Sequence, residues 1–334
     1  MAPHVDVSPP RRLRLATRLG RCLPVLVLAA AFAGAAAPAA LGSEPFPDTS
    51  LKNLKLAVNA RGEALVTYTR TDGKTLHVLV WGAVDANTPS PDVPQVRFKY
   101  DYAGGWGKYH SAKYWKTFKN VCAPYTGPTL LYATPGAACD APDGSHWALQ
   151  TWQRALPLLG FDPWLPAQTA FETHISHWSA PLATLEVSQN WTYNGSAVGL
   201  FGQYEWGGAP VYGFSSTKTG GTTSRYNRNM YIDTYNSVYG AGWKRESGIL
   251  THKGTGTFCH SFVPQRPFPD YPSQSMRPAA PGKQYRVTAM GPGVTPDVQW
   301  VGPGLGAFDE RVDVQYNSLF DRVMTGDRIC AGER

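Results

Sequence analysis

The feature that most constrains this chain is a series of closely spaced reversals between residues 54 and 84. "LKLAV" runs into the turn "NARG", "EALVTYT" into "RTDGK", and "TLHVLVWGAV" follows. Asp72-Gly73 is a strong hairpin signal, because glycine accepts the positive φ that a tight primed turn demands. The segment therefore predicts a β-meander. Leu76, Val78 and Val80 alternate with His77, Leu79 and Trp81, so both faces of the third strand are apolar and it is expected to be buried on both sides.

Composition points the same way. Only 16% of residues are charged, against about 25% in an average domain. Aromatic residues make up 12%, with 34 glycines and 28 prolines. Few charges, many rings and many turn formers favour a mainly β fold, with antiparallel sandwich-like sheets and long Pro/Gly-rich loops. One short helix is expected near 145–159. There Trp147, Leu149, Trp152, Ala155 and Leu156 approach helical spacing, Ser145 offers an N-cap and Gly160 a stop. A second short helix is expected at the C-terminal "ERVDVQYNSLFDRVM". The expected division is a leader over 1–42, a meander with loop and helix over 43–165, and an antiparallel β region over 166–334. The latter two are separate or continuous.

The leader is read from residues 11–21, which carry five arginines and no acid, followed by an apolar run from Leu23 to Ala33 and then small residues. That order is the pattern of a secretory signal peptide, cut near Ala37-Pro38-Ala39 or a few residues later. The protein is therefore expected to be secreted, with no membrane span once the leader is gone. Residues 1–42 hold five of the 31 basic side chains and one of the 24 acidic ones. What remains is 26 against 23, net +3, and no basic run, so nucleic acid is not an expected partner.

Four cysteines follow the leader: Cys122, Cys139, Cys259 and Cys330. An even count in an exported chain implies two disulfides. Of the three pairings, Cys122–Cys139 and Cys259–Cys330 are favoured: the first closes a local loop, the second ties the C-terminus to a strand. No Cys-x-x-Cys or Cys-x-x-His spacing suggests a metal, and no phosphate loop, dinucleotide fingerprint or Gly-x-Ser-x-Gly elbow calls for a cofactor or a serine hydrolase.

Two sets of residues are candidates for function. In "FETHISHW", residues 171–178, strand alternation places Phe171, Thr173, Ile175 and His177 on one face and Glu172, His174, Ser176 and Trp178 on the other. Phe171 and Ile175, with Leu185 and Val187 beyond the Pro181 break, are the expected core row. Glu172 and His174 can act as an acid–base pair with Asp233 as partner, or can be the polar row of a half-exposed sheet. The second set is an aromatic strip, Trp191, Tyr204, Trp206 and Tyr212. Exposed, it stacks sugars; buried, it is sheet core. Three function classes follow. The first is an exported, disulfide-stabilised binding or cell-envelope-associated protein, with polysaccharide or another envelope component as partner. The second is a secreted hydrolase of a glycan or ester using Glu172 and His174. The third is a structural surface protein.

Overall fold

The computed structural model describes residues 43–87, 95–102, 114–131, 133–153, 170–193, 196–211, 214–215, 228–237, 240–245, 249–252, 256–261, 282–303 and 309–323. These all belong to one compact unit, which spans Ala39–Arg334. The expected boundary at 165/166 lies outside the described residues. In chain order the elements begin with β1 (Glu44–Pro45), β2 (Lys52–Val58), β3 (Ala64–Thr69), β4 (Thr75–Trp81), β5 (Lys99–Tyr102) and a single helical turn, α1 (Tyr114–Thr117). β6 (Ala123–Pro124), β7 (Ala133–Asp140), β8 (His146–Gln153) and β9 (Phe171–Trp178) follow. The second half holds β10 (Thr184–Tyr193), β11 (Ser196–Trp206), β12 (Ala209–Pro210), β13 (Phe214–Ser215), β14 (Arg228–Ser237) and β15 (Gly240–Arg245). β16 (Ile249–His252), β17 (Thr257–Ser261), β18 (Gln284–Ala289), β19 (Val298–Pro303) and the helix α2 (Glu310–Val323) complete it.

The fold is mainly β, as composition implies. The meander forms a sheet in the order β2-β3-β4-β5, and β1-β9-β8-β7-β6 form a second antiparallel sheet. Val58, Val66, Val78 and Val80 of the first pack with Trp147, Leu149 and Ile175 of the second around Phe46 and Tyr68. The other two sheets run β10-β11-β17-β16 and β13-β14-β18-β19. Leu200, Tyr204 and Phe258 of one and Met230, Ile232, Tyr285 and Val287 of the other make a second core. The only parallel pair among the described residues is β13 with β14.

The loop from Met290 to Asp297, between β18 and β19, ties these two cores together. Val294 is buried in the first core although its flanking strands belong to the second. Its N–H donates to Asp85 O at 2.9 Å, and its carbonyl accepts from His177 N at 2.8 Å. Gly293 makes this approach with φ +60; a Cβ there would lie 2.6 Å from the Cβ of Ala86. Only glycine accepts both the backbone angle and the contact.

Two expectations are corrected. Residues 146–153 are strand β8, not helix. Asp143-Gly144 forms a hairpin turn, with Gly144 at φ +85, and hydrogen bonds from Ala141 N to Ser145 O and from Gly144 N to Ala141 O. Ser145 is thus a turn residue and not an N-cap. β8 then pairs with β7 on one side and β9 on the other, and is buried along most of its length. The ladder on both edges overrides the helix-like spacing of its tryptophans. The polar row of β9 is likewise not half exposed. His174, Ser176 and Trp178 of that row are buried, while Phe171, expected in the core, is 47% exposed at the start of the strand.

Cys122 and Cys139 form a disulfide across 17 residues. Cys259 is disulfide-bonded too; Cys330, its expected partner, lies outside the described residues. Converting both Cys122 and Cys139 to serine is expected to cost roughly 3 kcal/mol, the loop-closure value for this span. The change is read as a lower denaturation midpoint that reductant does not lower further through this bond.

Candidate functional site

β9 positions three rows of chemistry because its cross-strand pairing with β8 is unbroken. His174 lies opposite Gln150, Ser176 opposite Ala148, and Trp178 opposite His146. Side chains on paired residues share a face, so these groups form a continuous polar and aromatic stripe on the side of the sheet away from the first core.

At one end of the stripe, His174 is wholly buried. Its Nε2 is 3.3 Å from Glu172 Oε2, and its Nδ1 is 2.8 Å from Asp297 Oδ2. Sequence reasoning paired Glu172 with His174, and the strand does bring them together. Asp297 and Ser43, which it missed, complete the group. Ser43 Oγ donates to Asp297 Oδ1 and sits 2.9 Å from His174 Nδ1. Asp297 also accepts from Trp152 Nε1 at 2.9 Å and from Gly291 N at 3.1 Å. Gln150 clamps the Asp297 backbone, accepting from its N–H at 2.8 Å and donating to its carbonyl at 3.0 Å.

Burial alone would push the His174 imidazolium towards its neutral form. The Asp297 charge and hydrogen bond, then Glu172, outweigh that and raise its pKa to about 9. His174 is therefore an imidazolium at neutral pH, donating from both nitrogens. This wiring differs from a nucleophilic triad. There, serine and carboxylate face opposite nitrogens of a neutral imidazole, which takes the serine proton. Here Ser43 and Asp297 share Nδ1, Glu172 takes Nε2, and the ring already holds both protons.

Asp233, the third expected partner, is not part of this group. It sits on β14, where its Oδ1 accepts from Arg245 Nε at 2.6 Å and its Oδ2 from Arg286 Nη2 at 2.7 Å. Aromatic contacts link the two clusters. Trp152 lies 4.8 Å from His174 and 4.7 Å from Tyr231, and the Arg245 guanidinium stands 4.4 Å over the Tyr231 ring.

Two further histidines line the sheet. His177 stacks on Trp147 at 3.9 Å. Its Nδ1 donates to Ala83 O at 2.6 Å, and its Nε2 meets Ser145 Oγ at 2.8 Å. Burial lowers its pKa against the opposing Ala83 hydrogen bond and the Asp143 and Asp85 charges. At the far end, His146 Nδ1 lies 2.7 Å from Asp140 Oδ1, beside the Tyr125 and Trp178 rings. Burial opposes the charge on Asp140, but hydrogen bonds from Thr126 and His146 outweigh it and hold that carboxyl below its usual range. Among the described residues, no three His, Cys, Asp or Glu side chains are grouped to hold a metal ion.

The aromatic strip is dispersed. Tyr204 is core, 1% exposed, with its hydroxyl donating to Met290 O at 2.9 Å. Trp206 is half-buried against the second core. Trp191 lies on β10, and Tyr212 falls outside the described residues. Trp115 on α1 is open to solvent, 37% exposed. It lies flat on His77, centroids 4.2 Å apart and planes 11° from parallel, with the Lys116 ammonium 5.4 Å from its centroid. Burial lowers the His77 pKa, so a neutral imidazole backs the indole.

Asp297 left a faint trace in the sequence, a lone acid closing the Gly/Pro-rich turn "GPGVTPD". Ser43 left none, since it stands at the junction with the expected leader. No protein-family model matches the chain, and neither the curated proteins nor the solved structures contain a match to it.

Proposed function

We propose that this protein is an exported, disulfide-stabilised binding protein of the cell envelope, and that carbohydrate is its ligand. The observation that carries the reading is Trp115. A flat indole backed on one face by a neutral imidazole and open to solvent is suited to stacking on a sugar ring. The acid–base groups support binding over hydrolysis, because His174 is sealed and already doubly protonated. The leader pattern and the disulfides support export. Among the described residues no helix is long and apolar enough to cross a membrane.

A glycan array probed with wild type, Trp115→Ala and Trp206→Ala tests this. Wild type is expected to bind a defined set of glycans. Trp115→Ala should bind them about tenfold more weakly, the scale of one lost stacking contact, and Trp206→Ala should bind like wild type. Absence of binding by wild type, or equal binding by Trp115→Ala, overturns the carbohydrate reading.

A further inference from the structure

Ser43 is wholly buried. Its N–H donates to Gly291 O at 2.9 Å, and its hydroxyl bonds Asp297. Glu44 and Pro45 pair with Ile175 and His174. The buried Glu44 carboxylate accepts from Phe98 N at 3.1 Å and from the Tyr100 hydroxyl at 2.6 Å. Phe46 N donates to Thr173 O at 2.8 Å, and its ring is in the first core. Immediately before this anchored stretch the sequence reads Ala40-Leu41-Gly42, with small residues one and three places before Ser43. That is the spacing a leader peptidase reads.

We infer that the Gly42–Ser43 bond is the processing site, and that the α-ammonium freed there docks against Asp297 and completes the buried cluster. The inference rests on the reading that residues 1–42 are an export leader. A leader peptidase adds water across the Gly42–Ser43 amide. The Gly42 carbonyl leaves as a carboxylate with the leader, and the Ser43 nitrogen becomes an ammonium. Cutting precedes folding, since the folded chain buries Ser43. Within one serine, Oγ and N are about 3 Å apart. With Oγ bonded to Asp297 Oδ1 and 2.9 Å from His174 Nδ1, the ammonium lies within roughly 6 Å of both the carboxylate and the imidazolium, and it balances the cluster, in which the two carboxylates of Asp297 and Glu172 otherwise face the single charge of His174. The ammonium also has three donors where the amide had one, enough to keep the Gly291 bond and add others. An uncut precursor lacks this charge pair, so it folds less stably and remains suited to export.

Three measurements test this. Intact mass and N-terminal sequencing of protein exported from cells making the full chain are expected to give a start at Ser43. A form whose leader junction is moved upstream, so that Ala40-Leu41-Gly42 remain, is expected to melt roughly 5–10 °C lower, the scale of one buried charge pair. An amine-acylating reagent is expected to leave the Ser43 α-amine of the folded protein unmodified and to modify it after denaturation. A start at Ala40 or another residue, an equal melting temperature, or ready acylation in the folded state overturns the inference while leaving the leader reading intact. Full-length chain with Met1 retained in the native host overturns the leader reading and the inference with it.

Discussion

Asp297→Ala is expected to destabilise the protein by about 3–5 kcal/mol, the cost of removing one partner from a buried charge pair. For a chain of this size that lowers the melting temperature by on the order of 10 °C. The carboxylate accepts from Ser43 Oγ, Gly291 N, Trp152 Nε1 and His174 Nδ1. Truncation leaves three buried donors without this acceptor and an imidazolium with Glu172 as its remaining counter-charge. The pH dependence has a definite sign. The His174 pKa rises from 6.5 to about 9 on folding. Its contribution, about 3 kcal/mol by linkage, is complete below pH 6.5 and is lost as pH rises through 9. Chemical denaturation of wild type at a series of pH values should show that decline, and Asp297→Asn should flatten it. A wild-type denaturation midpoint that stays level across this window refutes the imidazolium assignment.

How much of this was legible in the sequence depended on whether the governing contact was local. The meander was legible because Asp72-Gly73 encodes its own turn and the neighbouring strands alternate. The Asp143-Gly144 signal was equally local, but the tryptophans after it mimic helical spacing. What makes residues 146–153 a strand is pairing with β7 and β9, the latter separated by a long stretch of chain. The Glu172–His174 pair followed from the period of a strand. Its other partners did not, because Ser43 and Asp297 stand 131 residues before His174 and 123 after it. Alternation showed which side chains share a face of β9 but not what covers that face. The covering is the Met290–Asp297 loop, whose glycines and prolines read as a plain connector. Tyr204 shows the same limit: a ring on a strand reads alike whether it faces solvent or a second sheet.

Asp233→Ala is the other substitution with a large expected effect, and it separates two readings of this residue. Asp233 lies directly opposite Arg245 on β15 and Arg286 on β18, so both guanidiniums reach it across the sheet. Its side chain is 1% exposed, and those of Arg245 and Arg286 are 6% and 14%. The arginines are further held over rings, Arg245 over Tyr231 at 4.4 Å and Arg286 over Trp243 at 4.2 Å. Removing the carboxylate leaves two like charges side by side in a largely dry site. The expected cost is again about 3–5 kcal/mol, read as a midpoint shift in urea at an unchanged slope. Replacing all three residues with apolar side chains of similar volume should restore most of the loss, because guanidiniums left in a dry site without the Asp233 carboxylate, and not the missing ion pair itself, are what destabilises. A residue kept for catalysis behaves in the opposite way: its removal leaves stability intact or improves it, since active-site charges are held at a cost to folding. An Asp233→Ala protein that unfolds at the wild-type midpoint would therefore return Asp233 to the list of candidate catalytic groups, and a midpoint lowered and then recovered by the triple replacement would assign it to the architecture of the second sandwich.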